Sequence, residues 1–190
     1  MTDGFFSFTR KARGRTNVLI SPVFIGDVIV ESKTEDPFDH KEYEGIWDTG
    51  ATGSVITSKV VKECGLKPTG GTWVQLAGKK DFQNTYLVSI GLPNRVLISP
   101  VRVTEAKEIG GCDVLIGMDI ISQGDFAVSH GNNKTTFTFR IPSKEVIDFV
   151  ITDAAETGQK VHTKETFEKE KKTKSKKKEL KSKRKRKKRK

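Results

Sequence analysis

Apolar positions along most of this chain fall in short runs rather than at helical intervals. Val18–Ile20, Val23–Ile25 and Val28–Val30 are rich in β-branched residues, and Ser21-Pro22 and Gly26-Asp27 punctuate them, a pattern of short strands and turns. The charged stretch 33–41 contains Pro37 and predicts a loop, while 43–47 predicts a strand running into Asp48-Thr49-Gly50. Val60, Val61 and Cys64 have helical spacing, with Gly65 as a stop and Pro68 beyond it, so a short helix is expected over 57–64. Strands are expected at 73–76, 85–90 and 96–103, with Gly78-Lys79-Lys80 and Leu92-Pro93-Asn94 as the turns between them. Val114-Leu115-Ile116 is continuously apolar, as in a strand buried on both faces, and 117–123 has room for one or two helical turns. A final hairpin is expected from 125–130 and 134–141 around Gly131-Asn132-Asn133, with Thr136 to Phe139 alternating polar and aromatic. About eight short strands against two short helices make this a mainly β domain. No internal repeat is visible.

Charge divides the chain. Of 35 Lys and Arg against 24 Asp and Glu, residues 159–190 hold 18 basic and 4 acidic, so the remainder, with 17 basic and 20 acidic, is mildly acidic. The tail's apolar residues are Val161, Phe167 and Leu180, too few to offset the entropy of ordering, and it reads as a disordered extension. The expected organisation is an N-terminal arm over 1–16, a folded domain over 17–142, a linker over 143–158 and a basic tail over 159–190. Cys64 and Cys112 make no disulfide framework, and a small buried apolar role suits them. Arg10 to Arg15 precede an apolar stretch that Ser21, Pro22, Gly26 and Asp27 interrupt, so neither a signal peptide nor a membrane span is expected, and the reading is a cytoplasmic protein. His40, His130 and His162 lack metal-ligand spacing to one another or to the cysteines, so no metal and no cofactor is implied. Trp47, Trp73 and the 11 Phe read as core or interface residues.

The chemically informative segment is Trp47-Asp48-Thr49-Gly50-Ala51-Thr52-Gly53-Ser54. A carboxylate directly after an apolar strand, followed by small residues that permit a tight turn, is held by the scaffold yet reachable from a cleft. On these residues alone, a strand-terminating turn in which Asp48 bonds its own loop accounts for the segment equally well. The segment resembles the active-site signature of aspartic proteases: an apolar residue, Asp-Thr-Gly-Ala, then Ser or Thr. Val114-Leu115-Ile116-Gly117-Met118-Asp119 is similar to the second landmark of the retropepsin-like members. That resemblance covers about Val18 to Ile141. It implies a single-lobe, closed β-barrel with one or two short helices, active as a homodimer.

The same resemblance implies roles. Peptide hydrolysis by this route needs two carboxylates sharing one proton, one as general base on water and the other as hydrogen-bond or proton donor to the carbonyl. The chain carries one Asp-Thr-Gly, so Asp48 is expected to meet Asp48 of a second chain across a two-fold axis. Thr49 would brace the pair, Gly50 and Ala51 would let the backbone approach the substrate, and Gly117 would pack under the loop. Asp119 is expected to cap the short helix. Gln75, Leu76, Ala77 and Gly78 would belong to a flap closing over an extended polypeptide, with Gly78 at its tip. The double-glycine tip of retroviral enzymes is missing, and an ordinary surface hairpin fits the same residues.

The run 171–190 closes on Lys183-Arg184-Lys185-Arg186-Lys187-Lys188-Arg189-Lys190, which suits nucleic acid or another polyanion through counterion release. In a nucleated cell it also reads as a nuclear-localisation signal. Three functions therefore compete: an aspartic endopeptidase, a catalytically inactive protease-like dimer that holds peptides, and an interaction protein whose tail does the binding while the body dimerises.

Overall fold

In a computed structural model of the chain, residues 6–28, 40–76 and 79–157 are described. The apolar runs form ten strands among them: β1 (Phe6–Lys11), β2 (Ile20–Gly26), β3 (Lys41–Trp47), β4 (Val55–Thr57), β5 (Gly70–Leu76), β6 (Lys79–Gly91), β7 (Leu97–Ala106), β8 (Val114–Ile116), β9 (Asp125–Ser129) and β10 (Thr136–Ile141). Helices α1 (Ser58–Glu63) and α2 (Met118–Ile121) follow β4 and β8 directly. The Thr57 hydroxyl accepts the N–H of Val60, which starts α1 one residue inside the expected range.

Six strands close on themselves in the order β2-β3-β8-β4-β7-β6, because β2 also pairs with β6, and β5 hangs on β6 outside the ring. Closure leaves an interior that only apolar side chains can fill. Val23, Ile25, Ile56, Val88, Ile90, Val103, Val114 and Ile116 are buried there, and Val60 of α1 and Ile120 of α2 join the same core. The fold is thus the mainly β, single-lobe barrel that the resemblance implies.

Two expected turns come out differently. The chain stays extended through Ser21-Pro22, because Ser21 is buried and its hydroxyl accepts Trp47 Nε1–H at 2.9 Å. Lys79 and Lys80 pair with Leu76 and Gln75, which narrows the β5–β6 connection to residues 77–78, outside the described residues. The loop expected over 33–41 and the strand at 28–30 also fall mostly outside them.

A second sheet, in the order β1-β10-β9, brings Phe6–Lys11 of the expected arm against the final hairpin. It is joined to the barrel by an aromatic cluster. Trp47 stacks on Phe126 at 5.6 Å and meets Phe139 at 5.1 Å, while Phe8 packs against Trp47 at 5.6 Å. No local pattern announces β1, whose partner lies about 130 positions away.

The sheet's C-terminal exit is pinned by Asp125. Its carboxylate accepts Arg140 Nε–H and Nη2–H, the Ser143 hydroxyl at 2.5 Å and the N–H of Lys144 at 2.9 Å and Glu145 at 3.2 Å. The Ser143 hydroxyl, then the Lys144 N–H and Arg140, hold this carboxyl well below the usual carboxylate range. A depressed folded-state value means stability that is present above the unfolded value, about 3.9, and is lost as pH falls below it. Wild type should therefore lose more melting temperature between pH 6 and pH 2 than Asp125→Asn does. Parallel profiles of the two proteins in a thermal melt series would contradict this.

Val146–Lys190 is a separate unit. Within it α3 (Phe149–Thr157) occupies the expected linker, and Asp148 Oδ1 accepts the N–H of Val150 at 2.9 Å and of Ile151 at 3.3 Å. Among the described residues, no helix is long and apolar enough to cross a membrane. The tail over 159–190 lies outside the described residues.

Candidate active site

Strand order determines where the Asp-Thr-Gly loop must go. β8 lies between β3, its parallel neighbour, and β4, its antiparallel one. The loop from Asp48 to Ser54 connects those two outer strands, so it has to cross the C-terminal end of β8. Main-chain bonds fasten it there. The Asp48 N–H donates to the Ile116 carbonyl at 3.0 Å and the Met118 N–H to the Ala51 carbonyl at 2.8 Å.

Gly117 sits directly beneath the crossing. A Cβ at this position would lie 2.6 Å from the Gly53 carbonyl carbon and 3.1 Å from the Ala51 oxygen. The requirement is for space, since backbone faces backbone here. The Gly117 N–H donates to Ser54 Oγ at 3.1 Å, and that hydroxyl donates to Asp119 Oδ1 at 2.8 Å. The Ser54 N–H donates to Asp119 Oδ2 at 3.0 Å. Asp119 is therefore not the helix cap: Gly117 occupies the cap position of α2, without a side-chain bond, and Asp119 one residue inside the helix ties down the far end of the loop. The expectation fails in position: from inside the helix the carboxylate accepts the Ile120 N–H at 3.0 Å, and it also takes both donors of Ser54, 65 positions away.

At the near end, Trp47 anchors the loop in the aromatic cluster. Asp48 is half-buried, and its Oδ1 accepts the Gly50 N–H at 2.8 Å while its carbonyl accepts the Ala51 N–H at 3.3 Å. The carboxylate is thus aimed by its own loop, as an Asx turn aims it. Thr49 and Gly50 are exposed, and Ala51 is half-buried.

Beside the loop opens a cleft of about 1010 Å³. Its floor is residues 50–53 and Val55, one wall is the β5–β6 hairpin at 72–75 with Asp81 and Gln83, and the other is the end of β7 at 104–108. Gln75 of the expected flap lines it, Leu76 ends β5, and Ala77 and Gly78 lie outside the described residues. Trp73 is not a core residue; it is 68% exposed and meets Phe82 at 5.4 Å.

Sequence reading missed the β7 wall, because nothing in Thr104 to Glu108 resembles a site until the barrel places it across from the hairpin. Within that wall Glu105 accepts the Ser58 hydroxyl at 2.6 Å, the Tyr86 hydroxyl at 2.7 Å and Asn84 Nδ2–H at 3.3 Å. The Ser58 bond leads in holding its carboxyl below the usual range, partly offset by desolvation. Burial, followed by the bond to Glu105, pushes the Tyr86 phenol up. Among the described residues, no group of three or more His, Cys, Asp or Glu is placed to hold a metal ion.

A protein-family model described as "gag-polyprotein putative aspartyl protease" matches residues 37–123, a span that contains both landmark segments and the cleft walls. No curated protein matches the chain. Among solved structures, a retropepsin-like aspartic protease from Rickettsia conorii is similar at 10% identity and a TM-score of 0.48, over 74% of this chain and 98% of that one. The EIAV protease, solved with the inhibitor HBY-793, is similar at 19% identity and a TM-score of 0.42, over 56% of this chain and 86% of that one. The retroviral protease-like domain of Ddi1 from Leishmania major is similar at 15% identity and a TM-score of 0.40, over 70% and 100% respectively.

Proposed function

We propose that the chain is a retropepsin-like aspartic endopeptidase, as the match of residues 37–123 to an aspartyl protease family model supports, and that its Asp48 pairs with Asp48 of a second copy. The observation that carries this reading is the placing of Asp48: its carboxylate is oriented by the Gly50 N–H, in a loop braced by Gly117 and Asp119, beside a cleft large enough for extended polypeptide. One loop supplies one carboxylate, and the chemistry needs two.

In the proposed reaction a water lies between the paired carboxyl groups, which hold one proton between them. The ionised carboxylate takes a proton from the water as its oxygen attacks the scissile carbonyl carbon. The protonated partner gives its proton to the carbonyl oxygen, so the tetrahedral intermediate is a neutral gem-diol. Collapse breaks the C–N bond, with a proton passed to the leaving nitrogen and another returned from the diol to the carboxyl pair. Thr49 braces the pair across the axis, Gly50 and Ala51 admit the substrate backbone, and the hairpin bearing Gln75 and Leu76, with Ala77 and Gly78 at its end, closes over the substrate and excludes water.

A second copy is integral to this mechanism, so specific activity depends on concentration. Purified chain should hydrolyse unfolded protein at mildly acidic pH and sediment at twice the chain mass, and its specific activity should fall on dilution through the dimer dissociation constant. A folded dimer without hydrolysis, or a monomer that hydrolyses at full specific activity, would sink the proposal. The basic run 171–190 is proposed to hold the enzyme on nucleic acid or another polyanion, with affinity that drops steeply as salt rises in a filter-binding assay. Salt-independent retention, or none, would contradict that role.

A further inference from the structure

The cleft is not electrically neutral. Among the described residues, its lining holds three carboxylates, Asp81, Glu105 and Glu108, against one cation, Lys107. In the proposed enzyme, Asp48 adds to that balance from the adjoining loop.

Glu105 is the informative one. Its three donors, from Ser58, Asn84 and Tyr86, are neutral, so they fix the carboxylate in place without cancelling its charge. Lys62 adds a weaker long-range attraction. A charge held rigidly by neutral dipoles in a cleft wall acts on a ligand at little reorganisation cost. The Asp81 carboxylate is oriented in the same manner, accepting Gln83 Nε2–H at 2.7 Å.

A second, independent feature of the lining is Trp73, whose cross-strand partner Phe82 lies outside the lining. Trp73 and Phe82 face each other across the hairpin, 68% and 54% exposed. Gly71 makes room for them, since a Cβ there would lie 2.2 Å from the Phe82 ring. A glycine that spares space for an aromatic ring facing water stabilises no core. The exposed Trp73 ring and the fixed Glu105 carboxylate in the lining of one cleft match one kind of side chain, a long apolar stem ending in a cation.

We infer that this cleft selects extended polypeptide segments bearing Lys or Arg, with Glu105, Asp81 and Glu108 as the specificity-determining charges and Trp73 as the surface for the stem. The inference names the substrate class of the proposed peptidase and rests on that reading for the identity of the cleft. It does not require that hydrolysis occur. Acidic segments are repelled by the same groups, and purely apolar segments forgo the charge term.

Full-length protein carrying Asp48→Asn separates binding from cleavage. Fluorescently labelled peptides of one length, identical except for Lys, Gln or Glu at alternating positions, are titrated against it and against the same protein with Asp81→Asn, Glu105→Gln and Glu108→Gln added. The basic run at 171–190 is common to both proteins and cancels in the ratio. Neutralisation should weaken the Lys peptide about tenfold, leave the Gln peptide within about twofold and strengthen the Glu peptide. Should the triple change unfold the protein, the exposed pair Asp81→Asn and Glu108→Gln is measured alone, with a loss of about threefold expected for the Lys peptide. An unchanged Lys affinity, equal losses for Lys and Gln peptides, or no binding of the Lys peptide overturns the inference. Wild-type hydrolysis without this charge effect removes the inference and keeps the peptidase. The charge effect without hydrolysis does the reverse.

Discussion

Asp48→Asn should lower kcat for peptide hydrolysis by about 10³–10⁴-fold while leaving the fold intact, because the substitution removes a proton acceptor and almost nothing else. The amide oxygen of Asn replaces Oδ1 as acceptor of the Gly50 N–H, so the turn that aims the side chain survives. Thermal melts of the two proteins should agree to within about 0.5 kcal/mol of stability. The proposed pairing of two Asp48 side chains makes a further result specific to this arrangement. When equal amounts of wild type and variant are mixed and allowed to exchange subunits, about one quarter of dimers keep both carboxylates. Activity per wild-type chain therefore drops to about half, whereas a site complete within each chain would lose nothing. Undiminished hydrolysis by pure Asp48→Asn would place the chemistry on another residue altogether.

The second large effect belongs to Gly117, which has no chemistry of its own. An alanine Cβ would enter to within 2.6 Å of the Gly53 carbonyl carbon and 2.7 Å of its oxygen, atoms of the backbone that cannot rotate away. Either the loop lifts off β8 or α2 is displaced, and both movements break the bonds Met118 N–H to Ala51 and Gly117 N–H to Ser54. The expected cost is about 3 kcal/mol, the upper end for overpacking. In a domain of this size it corresponds to a fall of about 10 °C in melting temperature. Activity should fall further than stability explains, since the same shift turns the Asp48 loop away from the proposed dimer axis. Gly14→Ala is the control: its Cβ would meet nothing within 4 Å, and it should be neutral in both assays. A Gly117→Ala protein with wild-type stability would mean that the loop has slack which the packing does not suggest.

The two glycines separate local from long-range information. Gly65 was readable as a helix stop because the helical spacing of Val60, Val61 and Cys64 ends just before it, and it adopts φ 63°. Gly117 stands out in the sequence through its motif, yet the reason it must be glycine lies in Gly53 and Ala51, more than sixty positions earlier. The capping role expected for Asp119 went wrong for the same reason. A helix-initiating carboxylate and a carboxylate reaching back to Ser54 look alike in one dimension.

What the sequence determined by itself was the set of short apolar runs, the helix after β4, the mainly β class, the split between a mildly acidic body and a basic tail, and the one Asp-Thr-Gly that singled out Asp48. These depend on side-chain periodicity, turn chemistry and composition, all of which act within a few residues. The tertiary structure decided the rest. It threaded β8 between β3 and β4, so that the Asp48 loop has to cross Gly117, and it brought Phe6–Lys11 beside β10. It also set Glu105 of β7 across a cleft from Asp81 of the hairpin. Each of these is a pairing between distant segments, chosen by closure of the barrel and burial of its core. No local pattern encodes such a choice, because the free energy that makes it exists only when all the strands are in place.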